Sequence, residues 1–298
     1  MGKIKPCSAV LFVNLDKKNA KNISCMIKDE LEKRFIDTTV FLFDGKPGKP
    51  PIEKRDIAFS VGGDGTVLYT ARCLSPLGIP ILPVNLGALG FIAGVDADNW
   101  LSVFNLWEKG EISLSHRCMF EISVERSFAD VPQIIYNNVC LNDIVISASG
   151  IAKLINLDVK INSDTGATAL GSYRCDGLIV STPTGSTAYS MAAGGPILDP
   201  EMEAMILSPI CPFSSSNRPF VLPSRQTLTI NIANEQRSGV LLTVDGQDTF
   251  NLECADKIFV RQAPYPALLI YTGRNTYYSA LRTKLFQRSE KNNGDSNA

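Results

Sequence analysis

The residues best suited to chemistry are a carboxylate set among glycines. Gly62-Gly63-Asp64-Gly65-Thr66 directly follows the apolar run Ile57 to Val61 and directly precedes a helical stretch. Glycines let the chain turn sharply and bring N–H groups close to a ligand, and a helix start adds unpaired amides and a positive dipole end. That suits a phosphate. The alternative is a tight strand-to-helix turn in which Asp64 merely caps the helix, but a cap needs one Asp and at most one Gly. Paired glycines around an acid make room for something bulky. Neither GxxxxGK[ST] nor a GxGxxG after the first strand occurs, so P-loop and dehydrogenase-type readings lose their main support.

Two further segments carry polar groups in unusual order. Asn142-Asp143 stands between β-rich runs, and an adjacent amide and carboxylate at a strand edge can grip the two hydroxyls of a ribose; an Asx turn closing a hairpin uses the same pair. In Asp176 to Ser190, a strand runs into Thr182-Pro183, and Gly185 opens a hydroxyl-rich turn into a helix start. Ser186 and Thr187 suit N-caps, Tyr189 offers a flat ring to a nucleobase, and Ala188 exposes backbone without bulk. His116 is the one histidine, so the usual His-based triads and HExxH sites would all run through it; beside Arg117 it reads as structural.

These groups need a scaffold. Ser8 to Val13, Thr38 to Phe43, Ile57 to Val61 and Ile79 to Val84 read as strands. Between and after them, Lys17 to Phe35 (with Ile23, Ile27, Leu31 and Phe35 at steps of four), Val67 to Leu74 and Asp96 to Trp107 read as helices. Strands joined by helical crossovers predict a Rossmann-like α/β domain with a parallel sheet over 1–110. From 111 to 270 short β-rich runs dominate, which predicts a β-rich second domain with helical insertions at Ser186 to Ala193 and Glu201 to Leu207. The segment 271–298 is expected to return to the first domain through Tyr277 to Phe286 and to end in a disordered polar tail.

Composition sets outer limits. With 29 Lys plus Arg against 30 Asp plus Glu and no long basic run, nucleic acid is not an expected partner. No apolar stretch approaches the roughly 18 residues of a membrane span, and no signal-peptide pattern follows Met1 to Val13. Eight cysteines scattered singly, without CxxC, suggest reduced thiols in a cytoplasmic protein.

The glycine loop resembles that of the GGDGT kinase superfamily, which includes NAD kinases, lipid kinases and phosphofructokinases. Gly62 to Thr66, Asn142-Asp143 and Asp176 to Ser190, in that order, are similar to the three signature motifs of the NAD kinase family. Val84 to Phe91 and Ala193 to Ile197 extend the likeness. The resemblance implies a two-domain NAD kinase-like fold and transfer of the γ-phosphoryl of ATP to the 2′-hydroxyl of the adenosine ribose of NAD. Asp64 is then the base, with Gly63, Gly65 and Thr66 facing phosphates and a divalent metal (Mg²⁺ or Mn²⁺) that travels with ATP. It further implies that Asn142 and Asp143 hold ribose hydroxyls and that Asp176 receives an amide or amino group. Thr187, Ala188, Tyr189, Ser190 and Ala192 would frame the adenosine, with Phe91 beside the base. Lys153, Arg174 and Gln247 match further binding positions, and the family's habit implies a homo-oligomer, dimer or tetramer. A lipid kinase, or a non-catalytic dinucleotide-binding protein, is the alternative.

Overall fold

The computed structural model describes residues 4–44, 50, 53–87, 90–150, 153–163, 166–270 and 274–286. The chain forms two compact units, one from the described residues of Met1–His116 and Ala267–Ala298, the other from Arg117–Pro266.

The first unit is built on one sheet whose strands run in the order Asp37–Phe43, Ser8–Asn14, Ile57–Gly62, Ile81–Asn85, Ala267–Ile270, Leu114–Arg117, with Val95–Asp96 also pairing Ile81–Asn85. The pairs from Asp37–Phe43 through Ala267–Ile270 are parallel. Central strands here are apolar on both faces, as a sheet covered by helices requires: every residue of Ile57–Gly62 is buried. Ile27 and Leu31 of the helix Ala20–Lys33 join Leu11, Phe59 and Val84 in one core cluster.

The helical reading of Lys17 to Phe35 overran at its end. The helix stops at Lys33, and Phe35 takes a left-handed φ of 61° and lies 95 % exposed. The N–H of Phe35 bonds the Glu32 carbonyl and that of Ile36 bonds the Leu31 carbonyl, so Ile36, not Phe35, supplies the buried apolar contact.

The second unit holds two antiparallel six-stranded sheets. One runs Gly166–Cys175, Ile155–Ser163, Thr227–Ile232, Lys257–Gln262, Phe120–Phe128, Val131–Cys140; the other Phe220–Pro223, Ala204–Ile210, Gly177–Ser181, Asp143–Ala148, Val240–Val244, Asp248–Leu252. Alternate residues of both sheets, such as Leu157 and Val159 from the first and Ile144, Ile146, Leu178 and Val180 from the second, share one core. That period of two is the signature of sheets packed face to face.

The helix expected over Glu201 to Leu207 is instead the strand Ala204–Ile210, paired to Gly177–Ser181 and Phe220–Pro223. Its first six residues are buried without periodicity, a pattern that a buried strand and a buried helix share. The insertion at Ser186 to Ala193 is two single turns, a 3-10 turn Thr184–Thr187 and an α turn Tyr189–Ala192.

Candidate active site

The sheet of the first unit reverses its winding at Ser8–Asn14, which has Asp37–Phe43 on one side and Ile57–Gly62 on the other. Ligands bind at such switch points, beyond the strand C-termini. Gly63 and the helix Asp64–Leu74 follow there directly, and Lys17, three residues past Ser8–Asn14, brings its Cε within 3.8 Å of the place a Cβ on Gly63 would take.

Asp64 is the first residue of that helix, yet its carboxylate does not cap it. Oδ1 accepts N–H bonds from Ile92 at 3.1 Å and Ala93 at 2.7 Å, and Oδ2 accepts one from Phe91 at 2.9 Å. The capping alternative is thereby displaced; the acid holds the backbone of Phe91, Ile92 and Ala93. Gly90 is what permits the approach. A Cβ there would overlap Asp64 Oδ1 and lie 2.6 Å from Cγ and 2.9 Å from Oδ2.

Gly63 and Asp64 are half-buried and Gly65 exposed, whereas Thr66 is buried and its hydroxyl accepts the Gly63 N–H at 3.4 Å. The Phe91 ring lies 4.4 Å from the Lys284 ammonium and 6.5 Å from the Tyr277 ring, so within this unit its neighbours come from Arg274–Leu281 and the turn Arg282–Phe286.

In the second unit, strand register gathers the other motifs. Asp143 begins Asp143–Ala148 and pairs with Ser181, the last residue of Gly177–Ser181; on its other side Ile144 pairs with Val244, the last of Val240–Val244. Asn142-Asp143 therefore meets Ser181-Thr182 and the turn Asp245-Gly246-Gln247 at one end of the sheet.

The Thr182 N–H donates to the Asn142 carbonyl at 2.8 Å, and Thr182 Oγ1 donates to the Leu141 carbonyl at 2.5 Å. Gly185 packs so close that a Cβ would overlap the Asn142 carbonyl oxygen and come within 2.5 Å of its carbon. The Asn142 side-chain oxygen is buried with no hydrogen-bond partner among the described residues. An acceptor kept dry and unused is costly, so its natural complement is a hydroxyl from outside. Asp143 is buried, and that burial, with the Asp245 charge second, pushes its pKa up to about 7.

Around this cluster Thr187 is buried and donates to the Thr184 carbonyl, Ala188 is half-buried, Tyr189 is 48 % exposed and Ala192 is exposed. Ser190 is buried and shares a hydrogen bond with Ser208 at 3.1 Å, so its hydroxyl is committed within the fold. The cap reading of Ser186 fails: its hydroxyl donates to the Pro183 carbonyl at 2.6 Å and accepts the Leu198 N–H at 3.0 Å. Gln247 is exposed in its turn.

Asp176 is not brought to this end. It precedes Gly177, which pairs with Ser147, and so stands at the far end of the strand, five residues or about 16 Å from Ser181. Arg174 is exposed near it, its guanidinium 4.8 Å from the Phe213 ring centre; Lys153 is also exposed.

Asp245 was the group that motif reasoning passed over. Its signal is the Asp-Gly pair between two apolar runs, the mark of a tight hairpin turn, and it was legible only as that.

An α/β unit with an acid-bearing glycine loop, joined to a β-sandwich with a dry polar cluster at one sheet end, defines a nucleotide-dependent phosphotransferase class. Family models agree with that geometry. Residues 141–272 match the ATP-NAD kinase C-terminal domain and residues 51–112 the ATP-NAD kinase N-terminal domain. A NAD kinase from Treponema denticola is 42% identical over 277 residues, covering 93% of this chain and 95% of its own. One from Geobacter sulfurreducens is 38% identical, covering 77% of this chain and 78% of its own.

Among solved structures, yeast NADH kinase complexed with NADH superposes with a TM-score of 0.81 at 23% identity, over 99% of this chain and 89% of its own. An Archaeoglobus fulgidus NAD kinase in complex with ATP gives 0.66 at 24% identity, over 92% and 96%. These last two speak to the fold alone. The chain belongs to the NAD kinase family, whose activity is phosphoryl transfer from ATP to NAD, forming NADP.

Proposed function

We propose that Asp64 is the base of this reaction and that Asn142 and Asp143 hold the acceptor ribose. The observation that carries the reading is the fixed carboxylate at the glycine loop. A ribose hydroxyl titrates far above neutrality, so a base placed beside it lowers the barrier to attack on the γ-phosphorus. Three backbone N–H groups orient the Asp64 carboxylate, and of its roughly four acceptor positions one on Oδ2 remains among the described residues. That lone pair takes the 2′-hydroxyl proton as the oxygen bonds to phosphorus and the bond to the ADP oxygen breaks.

The Asn142 side-chain oxygen accepts a ribose hydroxyl in the place of its missing partner. Asp143, whose burial raises its pKa toward neutrality, can both donate to and accept from a sugar hydroxyl. Gly63, Gly65 and Thr66 serve the phosphates by resemblance. By resemblance, Mg²⁺ or Mn²⁺ would enter as part of the ATP substrate and neutralise phosphate charge there.

Thr187, Ala188, Tyr189 and Ala192 are proposed to frame the adenosine. Ser190 contributes as a buried support to that wall, and Phe91, Lys153 and Gln247 contact the dinucleotide. Asp176 and Arg174 stand apart from Asn142 along the strand, which favours a homo-oligomer in which a second copy brings them to the same dinucleotide. The described helices include none long and apolar enough to cross a membrane. The eight free thiols support a reducing compartment, the cytoplasm, to be checked by cell fractionation.

The test is Asp64→Asn, assayed for NADP formation from NAD, ATP and Mg²⁺ alongside NAD binding by calorimetry. The expected result is a rate lower by several powers of ten with NAD still bound. Full turnover with intact binding removes Asp64 from the base role.

A further inference from the structure

We infer that Asp245 is the positioning residue that sets the Asn142-Asp143 grip before substrate arrives, an inference that rests on reading that pair as ribose-holding. Its carboxylate reaches three consecutive backbone amides: Oδ2 accepts the Leu141 N–H at 3.0 Å, and Oδ1 accepts those of Asn142 at 2.8 Å and Asp143 at 3.1 Å. Its own N–H donates to the Asp143 carbonyl at 2.9 Å.

Four hydrogen bonds thus tie one residue to the whole turn. The ladder to Val240–Val244 does not do this, because its register ends at Val244↔Ile144. On the other side Ser181 pairs with Asp143 and the Thr182 N–H donates to the Asn142 carbonyl, while the Leu141, Asn142 and Asp143 N–H groups donate to Asp245. Asp245 is 7 % exposed, so water does not compete for these bonds.

The residue type follows from the donor count. Three N–H groups converge on one side chain, and an ionised carboxylate is acceptor-only with room for all three. An amide of the same shape would turn an NH₂ toward at least one of them. The backbone also selects: Asp245 has φ 49° and Gly246 φ 67°, with the Gln247 N–H closing on the Val244 carbonyl at 2.9 Å. Aspartate enters that left-handed region more readily than most residues, and glycine does so freely. The hairpin turn therefore presents the acid at the place where the motif turn needs its amides held.

The consequence is preorganisation: the grip's backbone is fixed in advance, so binding energy is not used to order it. The test compares Asp245→Asn with Asn142→Ala in steady-state NADP formation, with NAD affinity checked by calorimetry. Hydrogen bonds to charged groups are worth about 1.5–3 kcal/mol, so Asp245→Asn is expected to raise the KM for NAD about ten- to a hundredfold and leave the KM for ATP within about twofold.

A purely structural role would lower the folded fraction and leave the KM for NAD of the remainder unchanged. If Asn142→Ala raises that KM and Asp245→Asn does not, the inference about Asp245 is overturned. If neither does, the ribose-holding reading fails first and takes this inference with it. Should Asp245→Asn fail to fold, amide hydrogen exchange of the wild-type protein decides. The Leu141, Asn142 and Asp143 amides are expected to be strongly protected, and exchange as fast as at the Ala129-Asp130 turn overturns the inference.

Discussion

Gly90→Ala is expected to destabilise the first unit and slow the reaction together, because one methyl group would occupy the space that the Asp64 carboxylate now fills. The added Cβ overlaps Oδ1, the oxygen that accepts the Ile92 and Ala93 N–H groups, and also crowds Cγ and Oδ2, so the whole carboxylate must move and at least the two Oδ1 bonds are broken. Two charge-assisted bonds are then lost, at about 1.5–3 kcal/mol each. Asp64 is only half-buried, so water partly solvates the displaced oxygen and the lower end applies, about 3 kcal/mol in total. For a unit of this size that is a fall of roughly 6–12 °C in its melting temperature.

Misplacing a proposed base by about an ångström is worth on the order of a hundredfold in rate. Differential scanning calorimetry reads the first number, with the transition of the first unit followed separately because two units need not melt as one. NADP formation reads the second. Gly87→Ala is the internal comparison, since a Cβ there meets nothing within 4 Å, and its melting is expected to shift by no more than the change of about 0.5 kcal/mol typical of a neutral site. Wild-type melting of Gly90→Ala, or an equal fall for Gly87→Ala, refutes the steric argument.

Asp143 carries a pH signature of definite sign. Its folded pKa of about 7 stands above the ordinary 3.8, so the stability it contributes is full below about pH 4 and is lost as pH rises through 7. The slope approaches about 1.4 kcal/mol per pH unit, about 4 kcal/mol across the window. Denaturant unfolding from pH 4 to 8 is expected to show that decline in the wild type and a flatter profile in Asp143→Asn; identical profiles refute the assignment. Light scattering at assay concentration is expected to give a mass of two or four chains, and a fully active monomer refutes the shared dinucleotide site.

Much of the first unit was legible because its signals are local. The run Ile57 to Val61, the glycines after it and the apolar spacing of the following helix all lie within a single stretch of chain, and the strand-turn-helix appears where that stretch predicts it. What the stretch cannot show is where Asp64 turns its carboxylate, because the N–H groups that hold it lie at Phe91 to Ala93, past the next strand. The same holds in the second unit. Asn142 and the Asp245-Gly246 pair read as turn residues and Thr182 as the end of a strand; only the register across three antiparallel strands makes them neighbours. Ala204–Ile210 was misread for the opposite reason, since a continuous buried run carries no period from which to choose.

The two decisive acids, Asp64 and Asp245, have the same local chemistry and different access. Each accepts three backbone N–H groups from consecutive residues of a distant segment, so donor count alone does not say which one reacts. Burial separates them. Asp245 is almost wholly enclosed, and its charge acts on Asp143, raising that group's affinity for a proton. Asp64 is half-exposed at the head of a helix beside a glycine loop, where a hydroxyl can reach the last acceptor position of Oδ2. On the proposed assignment, similar hydrogen bonding yields a scaffold in one unit and a reagent in the other. If Asp64 is the proposed base, closing solvent off from it is expected to abolish NADP formation while leaving its three backbone hydrogen bonds intact.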